Sequence, residues 1–582
     1  MEKRNQYIAI GVIAIIAVAA GIGAGVYFMQ GPAGPGVVRT DLNVAVGSRV
    51  RHLDVADSWD SISAAVEDQV AEPLYRYDLT SPTLDFVAAL ASPSIPATWS
   101  ADNLNLTVPL RQGVKFHDGT PFNATAVKFS IDRYLYFLNV TGTLTSAQGG
   151  LANTAELYVW PDEAPYNTTF ARTEHCPIIN GTEIVSTYVV KIILNYPYAL
   201  FMDLLSFNSM YIVSPTAYAA YATSRVPADD TGFIVGTGPY KFIVYEPLVD
   251  ATFEANDDYW DGAPQIKDLT FTIISDDNAR NIALLSGDVQ FLNAPLPTMR
   301  PVMDMTPGIT LEYGPWMTAT QYMGMCTLFV NQTWRGAISW AMDYDYIIDN
   351  IMLGDATRLK NYVPAGLQFS NYTQPTPVLN LTKARQYLVD AGVVPAFYND
   401  GVHDHDDFFR HTNGTLPPLA TFNYTFNADN LVRGQIGILA ADNLAEIGVK
   451  LTLVGYSFYN YLYRLYNIPG YENELELYFI GWIPDYNDPS NFINPLFTPG
   501  SSSNSAQVDD DILNAWMLDC LEETDPVARK QIFDKMQLRL LTVIMPWALC
   551  YNGPHVVAYD AGLSGFPCNT MGRYWIASMQ WS

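Results

Sequence analysis

The chain has 582 residues, too many for one hydrophobic core, so two or three domains are expected. Its formal net charge is −28, which argues against nucleic acid as a partner because a phosphate backbone repels such a surface. Charged residues make up only 15% and aromatic residues 13%, so the surface relies on rings and hydroxyls more than on ion pairs.

Tyr7 to Met29 is a run of 23 residues without a charged side chain, long enough to cross a hydrocarbon core of roughly 30 Å. Lys3 and Arg4 precede it, so residues 1–30 are expected to anchor the chain with its N-terminus in the cytoplasm and residues 41–582 outside. A cleaved signal peptide is the competing reading. No Cys follows the run, which excludes a lipid-modified cysteine there. Residues 31–40 begin with GPAGPG and read as a tether.

Ten Asn-x-Thr sequons favour the outside location, against roughly four or five expected by chance and shared between Ser and Thr. The glycosylation candidates are Asn105, Asn139, Asn167, Asn180, Asn331, Asn371, Asn380, Asn413 and Asn423. Asn123 falls in a stretch expected to be packed. Five cysteines lie far apart without metal-ligand spacing, so one or two bridges are open, Cys550 with Cys568 among them.

In chain order, Leu42 to Val46 alternates as a strand and Ser61 to Leu74 has helical spacing. A strand, a turn at Asp118-Gly119-Thr120 and a helix from Ala124 follow. Gly236 and Gly238 flank Thr237 without a helix start or a Lys-Ser/Thr pair, so they mark a tight turn and not a phosphate cradle. Residues 275–291 supply a helix and a strand. Further helices are expected over Trp334–Leu353, Leu381–Ala391, Leu431–Ile447 and Asp525–Val543, with strands at Val449–Val454 and Met545–Tyr551. His403, Asp404, His405, Asp406, Asp407 and His411 crowd one loop, but alternating side chains aim half of them away from any common metal. No cofactor is implied, and no constellation for nucleophilic or acid–base catalysis recurs.

The stretch that organises the rest is GWIPDYNDPSNF, residues 481–492. Leu475, Leu477, Phe479 and Gly481 alternate as a strand, and Pro484 and Pro489 end it in a stiff loop carrying Trp482, Asp485 and Asp488. A carboxylate beside an indole suits a cation. The competing reading is that both aspartates only cap the turn.

This stretch resembles a segment of the family 5 extracellular solute-binding proteins of ABC importers, the oligopeptide and dipeptide receptors, in an archaeal-type, membrane-anchored form. So do the blocks RHLDVADSWDSISAAVEDQVAEPLY, where Val55 replaces a family proline, FHDGTPFNATAVKFS, whose role in the family is structural, and TGPYKFIVYEP, where the family returns to its first lobe. The resemblance implies an α/β two-lobed, type II Venus-flytrap fold with a peripheral subdomain. It divides the chain into lobe I at 41–78, 237–314 and 550–582, a peripheral subdomain at 79–236 and lobe II at 315–549.

By the same resemblance Asp485 holds a peptide α-ammonium group and Trp482 walls the pocket, with Tyr486, Ser58, Trp59, Trp316 and Asn427 also expected at the ligand. Asn427 stands where dipeptide receptors carry a carboxylate-binding Arg, which favours longer peptides or neutral ligands. Implied partners are a peptide or oligosaccharide, permease and ATPase subunits, and the membrane. A glycosylated surface-layer or filament subunit built on a receptor fold is the reading from a different class.

Overall fold

The computed structural model describes residues 39–138, 177–226 and 233–582, apart from positions 52, 57, 82–83, 403, 467–469, 472–473 and 524. The expected anchor, most of the tether, Asn139, Asn167 and Cys176 lie outside the described residues. Among the described residues no helix is long and apolar enough to cross a membrane.

Two mixed sheets carry the architecture. A seven-stranded sheet runs, in spatial order, Ile309–Trp316, Pro554–Asp560, Phe291–Asn293, Asp41–Val46, Asp268–Ile273, Asp250–Ala255 and Tyr240–Glu246. A six-stranded sheet runs Thr357–Arg358, Trp547–Asn552, Thr320–Met325, Leu477–Trp482, Ala420–Asn427 and Val449–Tyr456. Parallel neighbours need a crossover. Helix Asp277–Ser286 links Asp268–Ile273 to Phe291–Asn293, which flank Asp41–Val46 and run parallel to it, and helix Leu431–Ala445 links the parallel neighbours Ala420–Asn427 and Val449–Tyr456.

The chain passes between the sheets twice. It leaves the first at Trp316 and enters the second at Thr320, then returns from Asn552 to Pro554 through Gly553. A separate four-stranded sheet, Thr98–Trp99, Asn105–Pro109, Val189–Leu194 and Ile179–Ser186, packs with helix Ala124–Phe137. Asn123 caps that helix by accepting from the Thr125 N–H at 2.9 Å. Gly236 and Gly238 press against the end of helix Ser61–Val70, where a Cβ on either would fall within 3 Å of the Val70 backbone.

Several elements end earlier than their periodicity predicts. Helix Ser61–Val70 stops four residues short of Leu74 because Pro73 disfavours the helical region at Glu72, whose carboxylate instead accepts from Thr237, Tyr259 and Trp260. The helix expected over Trp334–Leu353 divides after Ala341. Asp343 caps the next turn, and its own N–H donates to Asn443 Oδ1 at 2.9 Å. Within the acidic loop, Asp404–Phe409 forms a helical turn, and no metal-holding cluster occurs among the described residues. Helix Asp511–Glu522 has no counterpart in the sequence reading.

Cys326, Cys520, Cys550 and Cys568 are free, so the expected bridge between Cys550 and Cys568 is not formed. Cys550 is fully buried in strand Trp547–Asn552, where its thiol donates to Ala548 O, whereas Cys568 packs against Gly314 beside the other sheet.

Candidate ligand-binding site

Strand Leu477–Trp482 is central in its sheet, and Leu477, Tyr478 and Phe479 are all buried, so both of its faces are covered. Tyr478 fits because Gly324 lies opposite it: a Cβ there would stand 2.1 Å from the ring. A strand fixed in this way delivers the 483–488 loop at a set position.

Two aspartates in that loop do different work. Asp488 caps the turn Pro489–Phe492 through the Ser490 N–H at 2.8 Å and forms a buried two-bonded ion pair with Arg529, both contacts at 2.8 Å. The turn it fixes presents Asn491, whose Oδ1 accepts from the Asp485 N–H at 3.0 Å and the Trp482 indole at 2.9 Å. Asn491 Nδ2 then donates to Asp485 Oδ2 at 2.8 Å. One buried amide thus sets both residues of the candidate site.

The other oxygen of Asp485 accepts from the Trp59 indole at 2.8 Å. Trp59 is placed by the turn at Asp54, whose carboxylate takes the Ala56 and Val226 N–H groups and a two-bonded contact from Arg133, so a proline is not needed at Val55. The Trp59 ring meets Trp482 edge-on at 5.8 Å and stacks on Tyr466 at 6.4 Å, while Tyr466 donates to Trp59 O at 2.8 Å.

The Asp485 carboxylate therefore has two neutral donors and, among the described residues, no ion pair. Burial pushes it up to about 6; the bonds from Asn491 and Trp59 and the charge of Arg573 pull the other way. It faces a cavity of about 460 Å³ between the two sheets, within the usual range for ligand sites. Trp59, Asp68 and Arg573 line one side, Gln321, Trp482 and Asp485 the other.

The remaining expected residues lie elsewhere. Ser58 is fully buried and donates to Glu67 at 2.6 Å. Tyr486 is buried with its hydroxyl near Ser490, at 3.2 Å. Asn427 is occupied by Asp429 and by Arg433, which donates to it at 2.7 Å. Trp316 is 48% exposed at its strand end, and the next residue, Met317, lines the cavity instead. Asn491 and Arg573 are the contributors that sequence reasoning missed. Asn491 sits inside the 481–492 stretch, but Arg573 carries no local signal.

The family model described as bacterial extracellular solute-binding proteins, family 5 Middle, matches residues 53–504. The chain belongs to this family. Members are extracytoplasmic solute receptors of ABC importers, binding proteins and not enzymes. Over 541 residues this family 5 protein is 26% identical to the glutathione-binding protein GsiB of Pectobacterium atrosepticum, covering 90% of this chain and 91% of that one. GsiB of Escherichia coli K12 is 24% identical over 538 residues, with 90% and 91% covered.

Among solved structures, DppA of Helicobacter pylori in complex with the peptide STSA superposes with a TM-score of 0.75 at 20% identity, covering 94% of this chain and 98% of that one. AppA of Bacillus subtilis with a nonapeptide gives 0.72 at 20% identity, covering 94% and 100%. These likenesses establish the α/β periplasmic-binding-protein fold.

Proposed function

We propose that this family 5 receptor captures peptides with a free ammonium group between its two halves and hands them to a membrane permease. The observation that carries the reading is Asp485, a buried carboxylate that forms no ion pair among the described residues and faces a cavity lined from both sheets. An ammonium group would add a direct charged partner to oxygens that otherwise accept only from the Trp59 indole and the Asn491 amide. A ligand that touches both sheets favours the closed arrangement over the open one, which closure on a ligand requires. The names of the relatives, glutathione-binding and peptide-bound, support a peptide over an oligosaccharide.

The test is calorimetry on the full-length protein with a peptide and its N-acetylated form. Asp485→Asn should cost two to three decades of affinity, since an unpaired buried charge costs about 3–5 kcal/mol. Equal affinity of the N-acetylated peptide for the unmodified protein overturns the reading.

The same proposal holds the chain at the cell surface by residues 1–30, with sugar on its exposed sequons. The uncharged run and the sequon excess support this. Asn180, Asn331, Asn380, Asn413 and Asn423 are exposed, whereas Asn371 uses its amide nitrogen to bond Asp534 at 2.8 Å.

A further inference from the structure

Gln321 stands opposite Gly481 where strands Thr320–Met325 and Leu477–Trp482 pair, and both residues line the cleft. The glycine makes room for the glutamine, since a Cβ at 481 would fall within 3 Å of the Gln321 side-chain nitrogen. The side chain therefore lies across the strand that leads to Asp485.

Arg433 fixes which way round that amide sits. Its Nη1 donates to Asn427 Oδ1 at 2.7 Å and its Nη2 to Gln321 Oε1 at 3.3 Å, while Asn427 Nδ2 donates to Asp429 at 2.5 Å. A guanidinium only donates, so the amide atom turned towards Arg433 is the oxygen. The nitrogen, with two N–H groups, is left on the other side without a hydrogen bond among the described residues. Arg433 itself is buried, forms no ion pair among the described residues and stands behind the cleft wall. A donor chain that starts at a cation polarises its last amide, which strengthens the N–H groups at its end.

The position restricts what those N–H groups meet. Gly481 and Asp485 are four residues apart, a reach of at most about 14 Å. An extended peptide whose ammonium is at Asp485 thus brings one of its first few acceptor oxygens to Gln321.

We propose that Gln321 is a positioning residue for the ligand backbone: its Nε2 donates to a peptide oxygen, a main-chain carbonyl or the terminal carboxylate, and Arg433 sets its orientation. This rests on the ammonium role of Asp485 and goes further by assigning the second polar contact and its donor.

The experiment is calorimetry and thermal unfolding on the full-length protein, its Gln321→Met and its Gln321→Glu variants. The probes are di-, tri- and tetra-alanine, trialanine amide and N-acetyltrialanine. Gln321→Met removes the donor and should weaken the unblocked peptides about tenfold. Gln321→Glu turns a donor into a charged acceptor beside Arg433, so it should weaken binding at least as much while the unfolding midpoint holds or rises. A residue with only a structural role would move stability and affinity together. If the penalty of Gln321→Met persists with trialanine amide, the oxygen is a main-chain carbonyl; if it vanishes there, the oxygen is the terminal carboxylate. Unchanged affinity in Gln321→Met, or a lowered midpoint in Gln321→Glu, overturns this inference, and the ammonium role is then judged separately by N-acetyltrialanine on the unmodified protein. No binding of any probe overturns both.

Discussion

The indole N–H of Trp59 donates to the carboxylate of Asp485 at 2.8 Å across 426 positions of sequence, tying the segment after strand Asp41–Val46 to the loop after strand Leu477–Trp482. Hydrogen bonds to a charged group contribute about 1.5–3 kcal/mol. Trp59→Phe keeps a ring against Trp482 and removes the donor, so affinity for a peptide with a free ammonium should fall about ten- to a hundredfold. Calorimetry checks this, with Trp59→Tyr as a second ring-preserving variant.

Asp485 titrates near 6, raised from the ordinary carboxylate range by burial. An ammonium ligand needs the ionised form, so its affinity should fall roughly tenfold per pH unit below about pH 6 and level off above it. The stability of the empty protein should respond in the opposite sense. A carboxyl whose folded pKa is raised penalises folding above that pKa, and the penalty is relieved as pH falls from about 6 towards 4. Asp485→Asn removes this contribution, so the difference in stability between the variant and the parent should grow by about 3 kcal/mol from pH 4 to pH 7. Denaturation across that range, with the neighbouring Asp68 and Arg573 intact in both proteins, isolates the contribution of this carboxyl.

Asp488 lies three residues away and has a different task. Its ion pair with Arg529 is buried on both sides, with each side chain 8% exposed. Arg529→Met leaves an uncompensated carboxylate and should cost about 3–5 kcal/mol of stability, seen as a lower unfolding midpoint. Asp488→Asn with Arg529→Met should recover part of that loss. A result in which Arg529→Met alters ligand affinity at constant stability would contradict this division of labour.

Gly324 faces the Tyr478 ring across the six-stranded sheet, where an added Cβ would stand 2.1 Å from it. Gly324→Ala should destabilise by about 1–3 kcal/mol through overpacking. Adding Tyr478→Leu should relieve part of the cost, and thermal unfolding of the two variants measures both effects.

A second set of contacts between the segment near strand Asp41–Val46 and helix Phe458–Leu465 was invisible as such in the chain. Tyr459, Tyr463 and Tyr466 repeat at helical spacing, which reads as core. In the structure Arg49 lies 3.5 Å above the Tyr459 ring and Arg51 is 5.2 Å from the Tyr466 ring, so these rings face cations from the other half of the molecule. Arg49→Ala with Arg51→Ala should loosen the contact between the two halves and lower ligand affinity by about tenfold, since such a contact contributes about 0.5–1 kcal/mol at an exposed site and more where desolvated, as at the buried Arg51. Solution scattering with and without ligand reads the closure directly.

The sequence by itself determined what local forces decide. Alternation set strand Leu477–Trp482, Pro484 and Pro489 ended it, and spacing set the helices after Asp60, Asn123 and Asn430. The resemblance carried by residues 481–492 was enough to name the family and to single out Asp485 and Trp482. Tertiary structure decided the rest, because burial and partners depend on residues far away in the chain. It closed Ser58 and Asn427 into other networks, and it gave Asp488 to Arg529. It also brought Arg573 to Asp485 from 88 positions downstream, a meeting no periodicity encodes since it follows from how Leu563, Phe566, Ile576 and Met579 pack the C-terminal segment into the core of the seven-stranded sheet.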